Sequence, residues 1–297
     1  MADLITDTWN GLRVLKVSNE AAEAVIALHG AHVLSYKPAG EREVLWLSQE
    51  SWHEAGKPIR GGIPVCWPWF GPAKEPAHGV ARITEWALKN TVSDTAKTVL
   101  AFEAFAFENL IAEITITIAD SLTLELSTTN LGAEEFRLTS ALHSYFSISD
   151  IADIAISGLD KAEYLDTLTG TRHIQEEQIR FTAETDRIYD SSDAECVIED
   201  PAYKKKIHVS KAGSLSTVIW NPWIAKSRRM PDFGDEEYHG MVCVEAANAA
   251  NDFRILRIFF FSLRYRAANS AYCAEHSRHS TSASLIDFLR LFEISLT

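Results

Sequence analysis

The stretch "AEITITIADSLTLELSTTN", residues 112–130, carries the clearest strand pattern in this chain. Isoleucine alternates with threonine over residues 114–118, and leucine alternates with threonine or glutamate over residues 122–126. Alternation with a period of two on both sides of a short polar break, here Asp120-Ser121, is typical of an antiparallel hairpin with one buried face. The sequence therefore predicts two paired strands in this region.

Strand patterns of the same kind recur along most of the chain, in the stretches AVIALHGAHVLSYKP, EVLWLS, KTVLAFEAFAF, LSTVIWNP and GMVCVEAAN. Helical periodicity is scarce, and no internal repeat or low-complexity linker interrupts the pattern. Many short strands with turn residues between them are typical of an antiparallel sandwich. We therefore expect an all-β fold with few short helices, and a single domain over residues 1–297.

Residues 251–297 have a different composition from the rest of the chain. They contain no Gly, Pro, Lys, Val or Trp, but six arginines. Within them, RILRIFFFSLRYR suggests a strand and SASLIDFLRLFEISL an amphipathic helix. Two interpretations stay open: this segment completes the sheet, or it is a divergent or artefactual tail such as the product of a shifted reading frame.

The charge of the chain bears on its partners. The net charge is −13, from 28 basic and 41 acidic residues. A surface with this charge repels nucleic acid and anionic membranes, so we expect neither as a partner. For the same reason, binding of a phosphorylated small molecule would require a local cluster of arginines or backbone amides.

Three further features bear on location. The N-terminal stretch MADLITDTWNGLRV lacks the pattern of a secretory signal, and no apolar run reaches the ~18 residues that a membrane span needs. The four cysteines are far apart and never form C-x-x-C. Together these features predict a cytoplasmic protein with free thiols.

Two neighbouring stretches contain candidate anion-binding residues. In RGGIPVCWPWFG, Arg60 precedes Gly61-Gly62; glycines permit close approach to the backbone, and the arginine fork matches phosphate or carboxylate. In HGVAR, Arg82 is a second anion-binding candidate, and His78 stands beside a tight turn. The alternatives are a surface arginine in a Gly-rich turn and a histidine that is hydrogen-bonded within its loop.

Two other stretches contain candidate acid–base groups. In TSALHSYFSI, His143 is either a satisfied core histidine or a proton donor. In MVCVEAAN, alternation places Glu245 on the same strand face as Met241 and Cys243. A carboxylate among apolar neighbours is costly unless it is paired, and burial raises its pKa toward the range of a general base. We therefore expect Glu245 to be functional.

A further stretch, TDRIYDSS, contributes Asp186, whose two carboxylate oxygens could bind two vicinal hydroxyls of a sugar. The alternative is an ordinary turn aspartate. In VIWNPW, Trp220 and Trp223 suit the apolar faces of sugar rings, although buried tryptophans more often only pack.

The sequence predicts neither a metal site nor a cofactor. The pairs His29-x-x-His32 and His276-x-x-His279 lack cysteine or carboxylate partners at ligand spacing. No Gly-rich nucleotide loop follows a strand and opens a helix, and no G-x-S-x-G elbow is found.

Taken together, five motifs resemble one family closely. The stretches RGGIPVCWPWFGP, AHGVAR, TSALHSYFSI, WNPWIAKSRRMPDF and MVCVEAAN occur in the order found in aldose 1-epimerase-like proteins, and within that family they look like the branch of D-hexose-6-phosphate mutarotases. The similarity spans about residues 28–248. After Asn248 the chain does not match the final strands of the family.

This resemblance implies a large antiparallel β-supersandwich that interconverts the α and β anomers of a hexose 6-phosphate without a cofactor. It implies that His143 is the catalytic acid and Glu245 the catalytic base. It further implies the roles of the substrate-binding residues: Arg60 and Arg82 hold the phosphate, Asp186 binds sugar hydroxyls, and His78 lies in the site.

One departure from the family pattern is the glutamine that some relatives have before HG, which is Ala77 here. Two alternatives stay open on the same fold: a mutarotase of unphosphorylated aldoses, and a non-catalytic sugar-binding or sugar-sensing protein. The expected partner is a small-molecule sugar phosphate, and the expected state is a monomer or a weak homodimer.

Overall fold

The computed structural model describes residues 3–72, 74–190, 192–255 and 258–269, and in these ranges the chain is built mainly of antiparallel strands. In chain order the strands are β1 (Asp3–Trp9), β2 (Leu12–Ser18), β3 (Ala22–Ala27), β4 (His32–Pro38), β5 (Val65–Cys66), β6 (Ala87–Ser93), β7 (Thr98–Phe107), β8 (Leu110–Ile118), β9 (Leu122–Asn130), β10 (Phe136–Leu142), β11 (Tyr145–Ser147), β12 (Ala155–Ser157), β13 (Glu163–Asp166), β14 (Thr171–Ile174), β15 (Thr185–Tyr189), β16 (Cys196–Asp200), β17 (Lys205–Ala212), β18 (Ser216–Asn221), β19 (Met241–Ile255) and β20 (Ile258–Asn269). The described residues contain one short α-helix, α1 (Trp223–Ser227), and two 3-10 turns, Ala81–Ile83 and Glu237–Gly240.

The hairpin predicted from residues 112–130 is formed by β8 and β9, which pair in antiparallel register. Ile114 lies opposite Leu126, and Ile116 lies opposite Leu124. Buried and partly exposed positions alternate along β8, as the period-two pattern predicts. Burial of each such aliphatic side chain stabilises the fold by about 1.5–3 kcal/mol.

The strands form three sheets in the part of the chain that is described. The first contains β1-β2-β3-β4, the second β14-β13-β15-β18-β19-β10-β5 with β11 also paired to β19, and the third β12-β16-β17-β20-β9-β8-β7-β6. One large cluster of buried side chains takes residues from all three sheets, for example Ile26, Ile116 and Val244. The prediction of an all-β antiparallel sandwich is confirmed. No helix within these residues is long and apolar enough to cross a membrane.

The first part of the unusual C-terminal segment lies in the sheets. Residues 251–255 extend β19 beside β10, and β20 lies between β17 and β9, with antiparallel pairing to both. The stretch that suggested a strand therefore supplies an inner strand of the third sheet. The amphipathic helix predicted within residues 270–297 lies outside the described residues, and a single domain over the whole chain stays a prediction.

Candidate active site

Strand β19 and its neighbours bring His143 and Glu245 together. Glu245 lies in β19 opposite Val218 of β18, and the next residue of β19 pairs with Leu142, the last residue of β10. The chain leaves β10 at His143, whose backbone N–H donates to the carbonyl oxygen of Pro64 at 3.0 Å. His143 Nδ1 consequently lies 3.3 Å from Glu245 Oε1, although without the geometry of a hydrogen bond.

Burial shifts the proton affinities of both groups. Burial raises the pKa of Glu245 well above its usual range; the charge of Asp186 acts in the same direction and that of Arg82 opposes it. Burial also lowers the pKa of His143 well below its usual range, and the neighbouring His78, Arg60 and Arg82 add to this effect. In the free protein burial therefore disfavours the charged forms of both members of the pair, the imidazolium of His143 and the carboxylate of Glu245.

Aromatic rings hold the imidazole of His143. The ring of Tyr145 stacks on it with centroids 4.8 Å apart and an angle of 6° between the planes. Trp46 stacks on Tyr145 at 5.7 Å, and Trp220 lies edge-on to His143 at 6.1 Å. Trp220 thus packs against His143. Of the two roles considered for it, contact with a sugar ring and packing alone, this contact is packing.

His78 lies beside His143. Its backbone is left-handed, with φ +63°, and its ring centroid lies 5.7 Å from that of His143. Its Nδ1 accepts from the backbone N–H of Gly71 at 3.4 Å, which leaves the proton of the neutral ring on Nε2. Burial, Arg82 and Arg60 lower the pKa of His78 to about 3, so the ring is a neutral donor.

Arg82 follows in the 3-10 turn Ala81–Ile83 and is held by backbone. Its Nη2 donates to the carbonyl oxygen of Ala77 at 2.6 Å. Its Nε is buried and has no hydrogen-bond partner among the described residues. Because the charge of Arg82 shifts the pKa of both His143 and Glu245, the guanidinium lies within electrostatic reach of the pair.

Arg60 lies inside the site and is already paired. Its Nε and Nη2 donate to the two carboxylate oxygens of Asp232, at 3.2 and 3.3 Å, and its Nη1 donates to the hydroxyl of Tyr145 at 3.0 Å. Sequence reasoning missed Asp232. The available signal was a lone acidic residue between Pro231 and Phe233 in a motif rich in tryptophan and proline.

The glycines after Arg60 serve the backbone of the protein itself. A Cβ atom on Gly61 would lie 2.5 Å from the Cα atom of Leu47, and one on Gly62 would lie 2.3 Å from the carbonyl oxygen of Val33. Both residues have positive φ. The two glycines therefore allow their backbone to lie against neighbouring segments of the same chain, around Leu47 and Val33.

Asp186 lies in β15, opposite Trp220 of β18. Burial raises the pKa of its carboxyl group, while Lys226 acts against this rise. Lys226, which sequence reasoning also missed, has its Nζ 3.9 Å from Asp186 Oδ2 and 3.2 Å from Glu184 Oε1, above the ring of Trp220. Asp186 is thus placed near the pair, where its charge acts on Glu245.

One group of side chains has atoms that could hold a metal ion: the ligand atoms of His143, Cys243 and Glu245 lie within 4.8 Å of one another. Burial and the charge of Glu245 raise the pKa of the Cys243 thiol well above its usual range, which makes the metal-binding thiolate costly. The two other histidines considered, His29 and His32, bond through Nε2 to the carbonyl oxygens of Lys57 and Gly61. His276 and His279 lie outside the described residues, and the absence of a metal stays a prediction.

Comparison with known proteins extends the match beyond the motifs. A family model described as aldose 1-epimerase matches residues 13–257. An Escherichia coli (strain K12) protein named "Putative glucose-6-phosphate 1-epimerase" is 38% identical over 261 residues, which cover 83% of this chain and 86% of that protein. A protein of the same name from Salmonella typhimurium is 38% identical over 253 residues, which cover 80% of this chain and 84% of that protein.

A solved structure shares the fold. The crystal structure of a "putative mutarotase (YeaD)" from Salmonella typhimurium superposes with a TM-score of 0.84 at 34% identity, covering 90% of this chain and 94% of that one. Because the family model spans most of the chain, including both members of the acid–base pair, the alternative of a non-catalytic sugar-binding protein is set aside. The chain belongs to the aldose 1-epimerase family and is an isomerase.

Proposed function

We propose that this protein interconverts the α and β anomers of a hexose 6-phosphate, with glucose 6-phosphate as the first substrate to test. The observation that carries the proposal is the buried acid–base pair, His143 and Glu245, with an arginine guanidinium in electrostatic reach. The names of the Escherichia coli and Salmonella relatives support the choice of a phosphorylated sugar.

The reaction requires two proton transfers around one bond. The carboxylate of Glu245 accepts the proton of the anomeric hydroxyl while the imidazolium of His143 donates a proton to the ring oxygen. The bond between C1 and the ring oxygen then breaks and an aldehyde forms. Rotation about the C1–C2 bond and closure on the other face, with both transfers reversed, give the other anomer. Two positioned groups suffice for this chemistry.

The pair serves both directions of the reaction. Ring opening uses protonated His143 and ionised Glu245. Ring closure uses the opposite protonation states, neutral His143 and protonated Glu245. In the free site, burial favours the protonation states used for closure, because it disfavours the imidazolium of His143 and the carboxylate of Glu245. The positive charges of Arg60 and Arg82 lower the pKa of His143. Bound phosphate would offset these charges and would thereby favour protonated His143, the form used for ring opening.

The two arginines offer unequal capacity for phosphate. Arg82 uses one donor on Ala77, and its buried Nε lacks a partner among the described residues. Arg60 uses three N–H groups on Asp232 and Tyr145, which leaves two of the five that a guanidinium carries. We therefore assign the larger share of phosphate binding to Arg82 and the smaller to Arg60.

The remaining groups suit the sugar ring. The carboxylate of Asp186 can accept from vicinal hydroxyls, and the neutral His78 can donate from Nε2. Cys66, Cys196 and Cys243 are free thiols, which supports a location in the reducing cytoplasm. A monomer or weak homodimer stays our expectation for the state of assembly.

One observation favours a second candidate, a mutarotase of unphosphorylated aldoses. The carboxylate of Asp232 already offsets the charge of Arg60, which leaves less charge for a phosphate. In this second candidate the acid–base chemistry is unchanged and the sugar carries a free hydroxyl at C6.

Exchange NMR between the α and β signals decides between the candidates. We expect the protein to accelerate exchange of glucose 6-phosphate far more than that of glucose at equal concentration. Equal or greater acceleration with glucose and galactose would move the protein to the second candidate. A folded sample that accelerates no sugar would overturn both.

A further inference from the structure

We propose that Asp232 is a positioning residue of the active site, which orients the imidazole of His143 through Arg60 and the ring of Tyr145. The inference rests on the proposed acid–base function and concerns how its acid is held in place. Neither Asp232 nor Tyr145 is among the site residues predicted from the sequence.

The first step of the chain of contacts is a side-on ion pair. Asp232 lies in the loop between α1 and the 3-10 turn Glu237–Gly240, and only 3% of its surface is exposed. Both of its carboxylate oxygens accept from Arg60, so the pair is bidentate. A bidentate pair fixes the plane of the guanidinium as well as its position.

The second step passes from the guanidinium to the acid. Arg60 Nη1 donates to the Tyr145 hydroxyl at 3.0 Å, and the Tyr145 ring lies parallel to the His143 imidazole, with 6° between their planes. Tyr145 is fully buried. Because the hydroxyl is held at one end of this ring, the plane on which the imidazole stacks is held as well.

The residue after Asp232 supports the same ring by another route. Phe233 packs on Trp46 with centroids 4.9 Å apart, and Trp46 stacks on Tyr145. One dipeptide, Asp232-Phe233, thus reaches Tyr145 through a polar and an apolar contact. This double support indicates that the loop sets the position of the aromatic stack.

The charge of Asp232 has a second effect on the acid. Arg60 is one of the cations that disfavour protonation of His143, and Asp232 offsets its charge. Three of the titratable and charged groups around His143 lie outside the strands: His78 and Arg60 on loops, and Arg82 in the 3-10 turn Ala81–Ile83. The others are Glu245 and Cys243 on β19 and Tyr145 on β11. Removal of the Asp232 charge leaves the field at His143 more positive.

The test compares Asp232→Asn with Glu237→Gln. Glu237 lies in the same part of the chain and accepts from Ser48 and from the backbone of Gln49, and no contact with Arg60 is among its hydrogen bonds. It therefore controls for loss of a partly buried carboxylate that only holds loops. Both variants are first checked for folding by thermal unfolding.

We expect kcat with glucose 6-phosphate to fall about 10- to 100-fold in Asp232→Asn, because an imidazole displaced by about 1 Å loses catalytic efficiency on this scale. KM should stay unchanged or fall, since Arg60 gains donors for phosphate. The alkaline limb of the kcat profile should move to lower pH, because protonated His143 becomes less favourable. Glu237→Gln should change none of these three quantities.

A double-mutant cycle with Tyr145→Phe, which keeps the stacked ring and removes the hydroxyl, tests the route through Arg60. Because both changes break the same chain, we expect the double variant to lose less than the product of the single losses. Additive losses, or a kcat within twofold of wild type in a folded Asp232→Asn variant, would overturn the inference.

An NMR titration of the His143 imidazole supplies a readout that does not depend on activity. We expect the ring signals of His143 to shift, and its protonation to occur at lower pH, in Asp232→Asn. Unchanged His143 signals would refute the positioning role even if the wild-type protein accelerated no sugar, an outcome that would separately overturn the proposed function.

Discussion

Oε1 of Glu245 lies 3.3 Å from Nδ1 of His143, and the sheet sets this distance. Glu245 belongs to β19, and His143 follows the end of β10, the strand that pairs with β19. The two groups approach because antiparallel pairing places Ala246 opposite Leu142. A shift of the register by one residue would turn Glu245 to the other face of the sheet and separate the pair.

Replacement of the base tests this pair directly. In Glu245→Gln we expect kcat for anomerisation to fall by about 10²–10⁴-fold, because general base catalysis contributes on this scale. Binding of the sugar phosphate should change little, since the amide keeps the size of the carboxyl group. Exchange NMR measures the first quantity and calorimetric titration the second. An active Glu245→Gln variant would assign the base elsewhere.

Removal of Arg82 tests its proposed role in phosphate binding. In Arg82→Ala we expect KM for glucose 6-phosphate to rise about 10- to 100-fold, because a hydrogen bond to a charged group contributes about 1.5–3 kcal/mol. The matched control is Arg228→Ala, which removes the same charge from an exposed pair with Glu236. A similar change in KM in both variants would show that only the overall charge matters.

A tight turn positions His78 and Arg82. Gly79 has φ +77°, and a Cβ atom there would lie 2.1 Å from the carbonyl oxygen of Trp67. We expect Gly79→Ala to lower the free energy of unfolding by about 3 kcal/mol or more and to abolish activity, since a strained backbone and a clash combine. Urea unfolding provides the measurement.

Gly40→Ala is the control for conformation alone. Gly40 has φ +75° and no atom within 4 Å of the added Cβ, so we expect a loss of only about 1 kcal/mol and normal activity. Equal losses in the two variants would show that the contact with Trp67 does not matter.

Buried histidines should make the protein sensitive to acid. The pKa values of His32 and His78 are lowered to about 3, chiefly by burial, from an ordinary value of 6.5. Between these pH values the unfolded chain binds the protons that the folded protein refuses, so the free energy of unfolding falls as the pH falls. Each group contributes a slope of roughly 1.4 kcal/mol per pH unit.

Urea unfolding between pH 7 and pH 4.5 measures this slope. The free energy of unfolding of His78→Asn should fall less on acidification than that of the wild type. The difference should equal the contribution of His78 alone. If the two slopes agree, His78 is protonated equally in the folded and the unfolded protein, contrary to its burial.

Much of the fold was predictable because its signal is local. The hairpin over β8 and β9 follows from alternation within each strand, which needs no information about distant residues. The burial of Glu245 was predictable for a related reason, since alternation alone placed this carboxylate among apolar side chains on one face of a strand. The family motifs then supplied the other candidates for the site.

The strands, the fold class and the candidates for acid and base follow from the amino-acid sequence, because a period of two and a motif both lie within consecutive residues. The pairing of Arg60 with Asp232 and the position of Lys226 beside Asp186 become visible only in the folded chain. Folding also buries His143 and Glu245, which disfavours the charged form of each. These properties depend on burial and on charges from several strands and loops, which meet only when the sheets pack together.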